Sequence, residues 1–315
     1  MGDVSADPAE LGMCSAHEHL IIDHPWIAER FPDFLLDDVD AACVDLEQFR
    51  SEGGGWVVDT MPGESGRNVS KLRELTRRTG VHIVAPTGLH LPMYYAEDAP
   101  ILNEDRDALA ARFTREITAS MDEASDSAKA GVIKVAGGRD RLSDHQAEAF
   151  AAAGRVAAET GCPIITHTEK GTAGLEQIER LTKAGASPDQ IVLSHTDAKP
   201  ELAYHREMLN TGVTLEYDQH FRTLAKVGSC PSADLIVELV DDFPRQIVVG
   251  MDLARRSYWR GHGGQPGLAW LVQTFLKILR DRGLTADALD GILRRNPARA
   301  FAFVPSTLSV SESSS

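Results

Sequence analysis

Eight times along this chain a short apolar run of β type gives way to a polar loop and then to a stretch with helical spacing. The runs are Met13–His17, Gly55–Thr60, Val81–Gly88, Gly131–Gly137, Pro163–Thr168, Ile191–Thr196, Gly212–Asp218 and Gln246–Asp252. Between them Leu109, Phe113, Ile117 and Met121 recur every four residues, and Leu175, Ile178 and Leu181 share one helical face. Gly161 and Gly212 stand just before strands, where helix C-terminal turns belong. Near-continuous apolar strands alternating with helices argue for an α/β fold built on a parallel sheet. The count of eight argues for a closed (β/α)8 TIM barrel, with its active site at the C-terminal ends of the strands. The competing open, doubly wound sheet usually carries a Gly-x-Gly-x-x-Gly turn after its first strand, and none follows here. No linker or internal repeat interrupts the alternation, so residues 1–305 are expected to form one barrel domain. Residues 306–315, STLSVSESSS, lack a core pattern and are expected to form a flexible tail.

Charge narrows the function. The 315 residues include 32 Lys and Arg against 47 Asp and Glu, a formal −15, without a basic run. Such a chain is a poor ligand for nucleic acid or anionic membrane, and a small-molecule substrate is expected. No stretch approaches the ~20 apolar residues of a membrane helix, and the polar start MGDVSADPAE does not read as a secretory signal. Cys14, Cys43, Cys162 and Cys230 are scattered without a Cys-x-x-Cys pair, as expected of free thiols in a cytoplasmic protein.

The ends of the expected strands concentrate reactive groups. His17 and His19 are one residue apart at the end of the first, so on a strand both imidazoles face the same way. Lys134 interrupts the apolar fourth strand, while His167, His195 and Asp252 end the fifth, sixth and eighth. Taken singly, a strand-end His is a packing residue, Asp252 a helix cap and Lys134 a snorkelling surface amine. Six such groups on five strand ends point instead to a shared site. In a closed barrel the eighth strand neighbours the first, which brings Asp252 beside the His pair. Four imidazoles and a carboxylate suit zinc, with cobalt or manganese as alternatives. They exceed what one catalytic zinc takes, so two ions and a bridging anion are expected. A buried, neutral Lys134 amine can react with CO2 to give that anion as a carbamate. Cys14 near the pair reads either as a further ligand or as a small buried residue.

The segments HEH, GVIKVA, ITHTEKG, SHTDAKPE, LEYD and GMDLARRSYW resemble, in order and spacing, the phosphotriesterase family of the amidohydrolase superfamily, which includes phosphotriesterase-like lactonases. The likeness runs from His17 to the NPARAF segment ending at Phe301. The resemblance implies that His17, His19 and Asp252 hold the more buried metal ion, and His167 and His195 the more exposed one. N6-carboxylated Lys134 and a hydroxide would bridge the two. Asp252 would take up the hydroxide proton as the catalytic acid–base group. Family members are commonly homodimers.

The loops narrow the substrate less. Arg255, Arg256 and Tyr258 lie in a glycine-rich loop after the eighth strand, Lys170 follows His167, and Tyr94 follows the third strand, close to Tyr95 and His90. The arginines and Lys170 read either as clamps for an anionic substituent or as partners of surface acids. This polar rim favours a polar or sugar-acid lactone as the ester that a binuclear-metal hydrolase would open. The same metals would serve an organophosphate triester hydrolase or, with His24–Leu36 as a greasy channel, an acyl-homoserine lactonase. A mononuclear deaminase would leave Lys134 without a role, and a non-catalytic binding protein on the same scaffold would normally have lost some of the ligand types, all of which are present here. Arg67 in GESGRN reads as structural, and His220 as a loop residue rather than a sixth ligand.

Overall fold

The computed structural model describes residues 10–124 and 127–305. Its strands are β1 (Met13–Glu18), β2 (Gly54–Asp59), β3 (His82–Val84), β4 (Pro86–Leu89), β5 (Val132–Gly137), β6 (Ile164–Thr168), β7 (Ile191–Ser194), β8 (Thr214–Tyr217) and β9 (Ile247–Val249). All pairings are parallel, in the order β1-β2-β3 and β4 through β9. The third expected strand is therefore two pieces broken at Ala85, whose carbonyl accepts the N–H of Gly131 instead. Closure comes from the other end. The backbone N–H groups of Met251 and Asp252 both donate to the His17 carbonyl, at 3.3 and 2.9 Å. This decides for the (β/α)8 barrel over an open sheet.

Local chemistry explains the crossovers. Asp38, Asn68, Asp105 and Ser143 each accept a backbone N–H at the start of a helix, and Ser143 completes a capping box with Gln146. Gly161 ends the helix Asp144–Thr160 at φ 76°, and a Cβ there would lie 1.8 Å from the Val304 carbonyl oxygen. Leu109, Phe113 and Ile117 are buried on the helix Arg106–Thr118. Met121 continues their spacing but lies beyond the helix end, where it is buried all the same.

Two apolar layers result. One lies between strands and helices, and the other fills the barrel with Cys14, Ala16, Trp56, Val58, Val132, Ile165, Val192 and Val248. Phe301 meets Trp56 edge-on beneath this filling, with ring centroids 6.2 Å apart. Cys14 thus belongs to the barrel filling, and all four cysteines are free and buried. The plug leaves the strand C-termini as the open end. Among the described residues no helix is long and apolar enough to cross a membrane. The expected tail, residues 306–315, lies outside the described residues.

Candidate metal centre

The strand ends bring the sequence candidates to one point. His17 is the penultimate residue of β1 and His19 follows the strand, with ring centroids 5.6 Å apart. Asp252 reaches both from beyond β9: its Oδ1 lies 3.3 Å from His19 Nε2 and 3.9 Å from His17 Nε2. Lys134 Nζ is 3.5 Å from His17 Nε2. The His195 ring lies 4.7 Å from that of His17 and 4.6 Å from that of His167. All six predicted ligand residues therefore share one cluster, and His17, His19 and Asp252 present ligand atoms within 4.8 Å of one another.

Backbone strain helps to aim them. His195 and Asp252 both adopt left-handed conformations, at φ 61° and 46°. Such a backbone costs a non-glycine residue roughly 1–3 kcal/mol and gathers at functional sites. Lys134 is fully buried, and burial pulls its amine down to about 8 against the opposing pull of Asp252, Glu216 and Asp218. The strand beside it permits this closeness only at Gly88, where a Cβ would fall 1.8 Å from the Lys134 carbonyl oxygen. Burial also holds His17 well below the usual imidazole range and His167 down at about 4. Both imidazoles are then neutral at pH 7, the state a metal ligand needs.

The donor set fits divalent ions. Imidazoles and a carboxylate converge in a buried pocket, and the Nδ1 atoms of His17 and His19 have no hydrogen-bond partner among the described residues.

Several site residues were not singled out from sequence. Glu18, between the two histidines, accepts backbone N–H groups from Met251 and Leu253, at 3.0 and 3.2 Å. Arg222 donates to Asp252 Oδ2 at 2.8 Å. With burial opposing them, Arg222 and His19 hold Asp252 well below the usual carboxylate range. Asp218 Oδ2 lies 2.6 Å from His195 Nδ1, and Glu169 Oε2 lies 2.9 Å from His167 Nε2. His90 adds a fifth imidazole, 5.6 Å from the His167 ring. His220 is no ligand. It opens the helix His220–Val227, stacks on Phe275 at 4.0 Å, and its Nε2 lies 2.7 Å from the Gly250 carbonyl oxygen.

Above the cluster opens a cavity of about 630 Å3. Phe31, Phe34, Leu91, Met93 and Tyr94 line it, and so do Lys170, Arg222, Arg255 and Tyr258. Arg255 lies over the Phe34 ring at 4.3 Å, with its Nη1 3.7 Å from Asp33 Oδ2. Arg256 does not line this cavity. It faces a separate acidic groove beside Asp37, Asp38 and Asp40. The loop that carries both arginines is anchored by the buried Trp259, whose indole N–H donates to the Leu253 carbonyl.

The chain as a whole has counterparts among known proteins. The model of the phosphotriesterase family matches residues 2–301. The chain belongs to the phosphotriesterase family. Within that family it is 32% identical to a phospho-furanose lactonase of Mycoplasmopsis synoviae, over 96% of this chain and 90% of the relative. A lactonase from Listeria monocytogenes superposes with a TM-score of 0.86 at 27% identity, covering 95% and 97% of the two chains. The phosphotriesterase homology protein from Escherichia coli, complexed with phosphate in its active site, superposes with a TM-score of 0.85. Its identity is 28%, over 94% of this chain and 100% of that one.

Proposed function

We propose that this phosphotriesterase-family protein is a binuclear-metal hydrolase that opens a five-membered sugar lactone carrying a phosphate. One observation carries the substrate class: Lys170, Arg222 and Arg255 line the cavity directly above the His/Asp cluster. Each already faces a carboxylate, Glu169 at 3.7 Å, Asp252 at 2.8 Å and Asp33 at 3.7 Å, as partners of acids would; a phosphate in the cavity adds charge-assisted hydrogen bonds to all three that a neutral lactone lacks. The phospho-furanose lactonase among its relatives and the phosphate in the Escherichia coli active site support the same reading.

In this reading His17, His19 and Asp252 hold one ion and His167 and His195 the other, with zinc as the metal. Lys134 joins them as a carbamate. Its neutral amine forms an N–C bond to CO2 and gives up one proton, leaving an anionic group with two oxygens. Bound there, divalent ions supply Lewis acidity to the lactone carbonyl and make hydroxide available near neutral pH. The side chains do the rest. Arg222 and Arg255 hold the phosphate, and Tyr94, edge-on to His90 with centroids 4.6 Å apart, offers its ring to one face of the sugar. Asp252 accepts the proton released on attack and returns it to the ring oxygen as the C–O bond breaks.

The apolar wall of Phe31, Phe34 and Met93 favours a second reading, an acyl lactone with its chain on that wall. One panel separates them. The zinc-loaded enzyme is assayed on an aldono-1,4-lactone with and without a 5-phosphate, on an acyl-homoserine lactone and on a phosphate triester. The proposal expects the phosphorylated lactone to lead in kcat/KM by at least about tenfold, or 1.4 kcal/mol of transition-state binding. A lead for either of the last two substrates overturns it.

A further inference from the structure

Strand β8 places no side chain among the proposed ligands, yet its last inward position and the matching one just past its end are carboxylic acids. Glu216 and the following Asp218 are both fully buried, two positions apart and so on one face. Asp218 has an evident task, because its Oδ2 sits 2.6 Å from His195 Nδ1. Glu216 has none so far. Burial and the neighbouring Asp218 push its carboxyl well above the usual carboxylate range, and beyond that neighbour neither of its oxygens has a hydrogen-bond partner among the described residues, nor does the Nδ1 of His17. These two orphaned groups face each other, with Glu216 Oε2 3.3 Å from His17 Nδ1.

A partnerless carboxyl at the centre of a barrel is costly, and native proteins rarely keep one without a use. The surrounding fold makes room for it. A Cβ on residue 250 would lie 2.7 Å from Glu216 Oε1 and 2.8 Å from the His17 Cβ, so only glycine lets the pair stand together.

We infer that Glu216 is a positioning residue for His17. Its Oε2 accepts the Nδ1–H of the imidazole, which fixes the tautomer and leaves the Nε2 lone pair facing Lys134 and Asp252. β8 then performs one job twice, with Asp218 orienting His195 and Glu216 orienting His17. This inference rests on the metal-centre reading above. Such partners lock ring orientation and raise the basicity of the ligating nitrogen.

One rival use of the same atoms exists. His17, His195, Glu216 and Asp218 present ligand atoms within 4.8 Å of one another and resemble a site for a further ion. The 2.6 Å separation of His195 Nδ1 and Asp218 Oδ2 argues against it. Two ligands at about 2.0 Å from one tetrahedral zinc stand about 3.3 Å apart. The observed contact is that of a hydrogen bond.

The experiment titrates metal-free wild type, Glu216→Gln and Glu216→Leu with zinc against a chromophoric chelator, and follows urea unfolding of the metal-free proteins in parallel. The expected result is two ions on wild type, with one of them bound about 10- to 100-fold more weakly by Glu216→Leu. Glu216→Gln, whose amide oxygen still accepts a hydrogen bond, should recover most of that loss. Wild-type affinity for both ions in Glu216→Leu overturns the positioning role while the metal centre stands. A third ion on wild type that Glu216→Leu abolishes overturns it in favour of the four-ligand site. No zinc on wild type overturns the metal centre and the positioning role together. Should Glu216→Leu fail to fold, the NMR spectrum of zinc-loaded wild type decides. A downfield, exchange-protected His17 Nδ1 proton that moves in Glu216→Gln supports the role, and its absence overturns it.

Discussion

Glu18 Oε2 accepts the backbone N–H of Leu253 at 3.2 Å, across 235 residues of sequence. Its Oε1 accepts the N–H of Met251, so the residue between two histidines grips the chain on both sides of Asp252. Glu18→Gln replaces one acceptor oxygen with an amide that meets a backbone donor. The expected cost is about 1–3 kcal/mol, read from urea midpoints. Burial pushes the Glu18 carboxyl up to about 8, although hydrogen bonds from Ser15, Leu253 and Met251 pull it down. A raised acid favours folding fully below its unfolded value, near 4.5, and loses that favour as pH rises through about 8. Metal-free wild type should therefore lose stability relative to Glu18→Gln between those limits, and parallel profiles that coincide would refute this.

Arg67 is held as the sequence suggested, for structure. It is 5% exposed and donates to Glu116 at 2.6 Å, to Glu123 and to the Pro86 carbonyl. Arg67→Ala leaves Glu116 buried without a counter-charge. A loss of about 3–5 kcal/mol is expected on denaturant unfolding. A midpoint within error of wild type would show that the network contributes little.

Lys134 should report its burial through pH. With its amine near 8, about a tenth is neutral at pH 7 and about nine-tenths at pH 9. Under the proposed carbamate, the metal-free enzyme given zinc and a fixed concentration of dissolved CO2 should regain activity several-fold faster at pH 9. Lys134→Ala should retain fewer than two zinc ions per chain by elemental analysis. A CO2-independent rate would point to a centre assembled without the carbamate.

Arg222 separates binding of the phosphate from chemistry. Arg222→Met removes a cation from the cavity and a partner from Asp252. For a phosphorylated lactone, kcat/KM should fall by about 100-fold or more, consistent with a lost charged hydrogen bond of about 3 kcal/mol. For the unphosphorylated lactone the fall should stay within about tenfold. Equal losses on both substrates would place Arg222 in service of Asp252 alone.

The sequence made the proposed ligand residues legible because each ends or interrupts an apolar run, where a His, Lys or Asp is conspicuous. It also carried the eightfold rhythm, and with it the closure that sets Asp252 beside His17. The groups that orient them were harder to read. Glu18 carries no signal of its own in the sequence, because period two turns the residue between two inward histidines outward. A register shift in β1 between Ser15 and Glu18 breaks that rule, and His17 and Glu18 are both buried. Glu216 and Asp218 alternate as any strand residues do, and only the arrangement of β1, β7 and β8 shows which imidazoles they face. Arg222 sits in a helix four residues after Asp218 and has no motif of its own. The break at Ala85 had no signal beyond the proline at residue 86.

The left-handed backbone at His195 and Asp252 has a consequence for how such a chain ages. Glycine would relax both positions, so the very changes that would remove two of the proposed ligands also ease the fold. A lineage released from selection on catalysis would be drawn toward losing these two side chains early, and its descendants would be the sturdier proteins. Both side chains stand here in a backbone conformation that each resists.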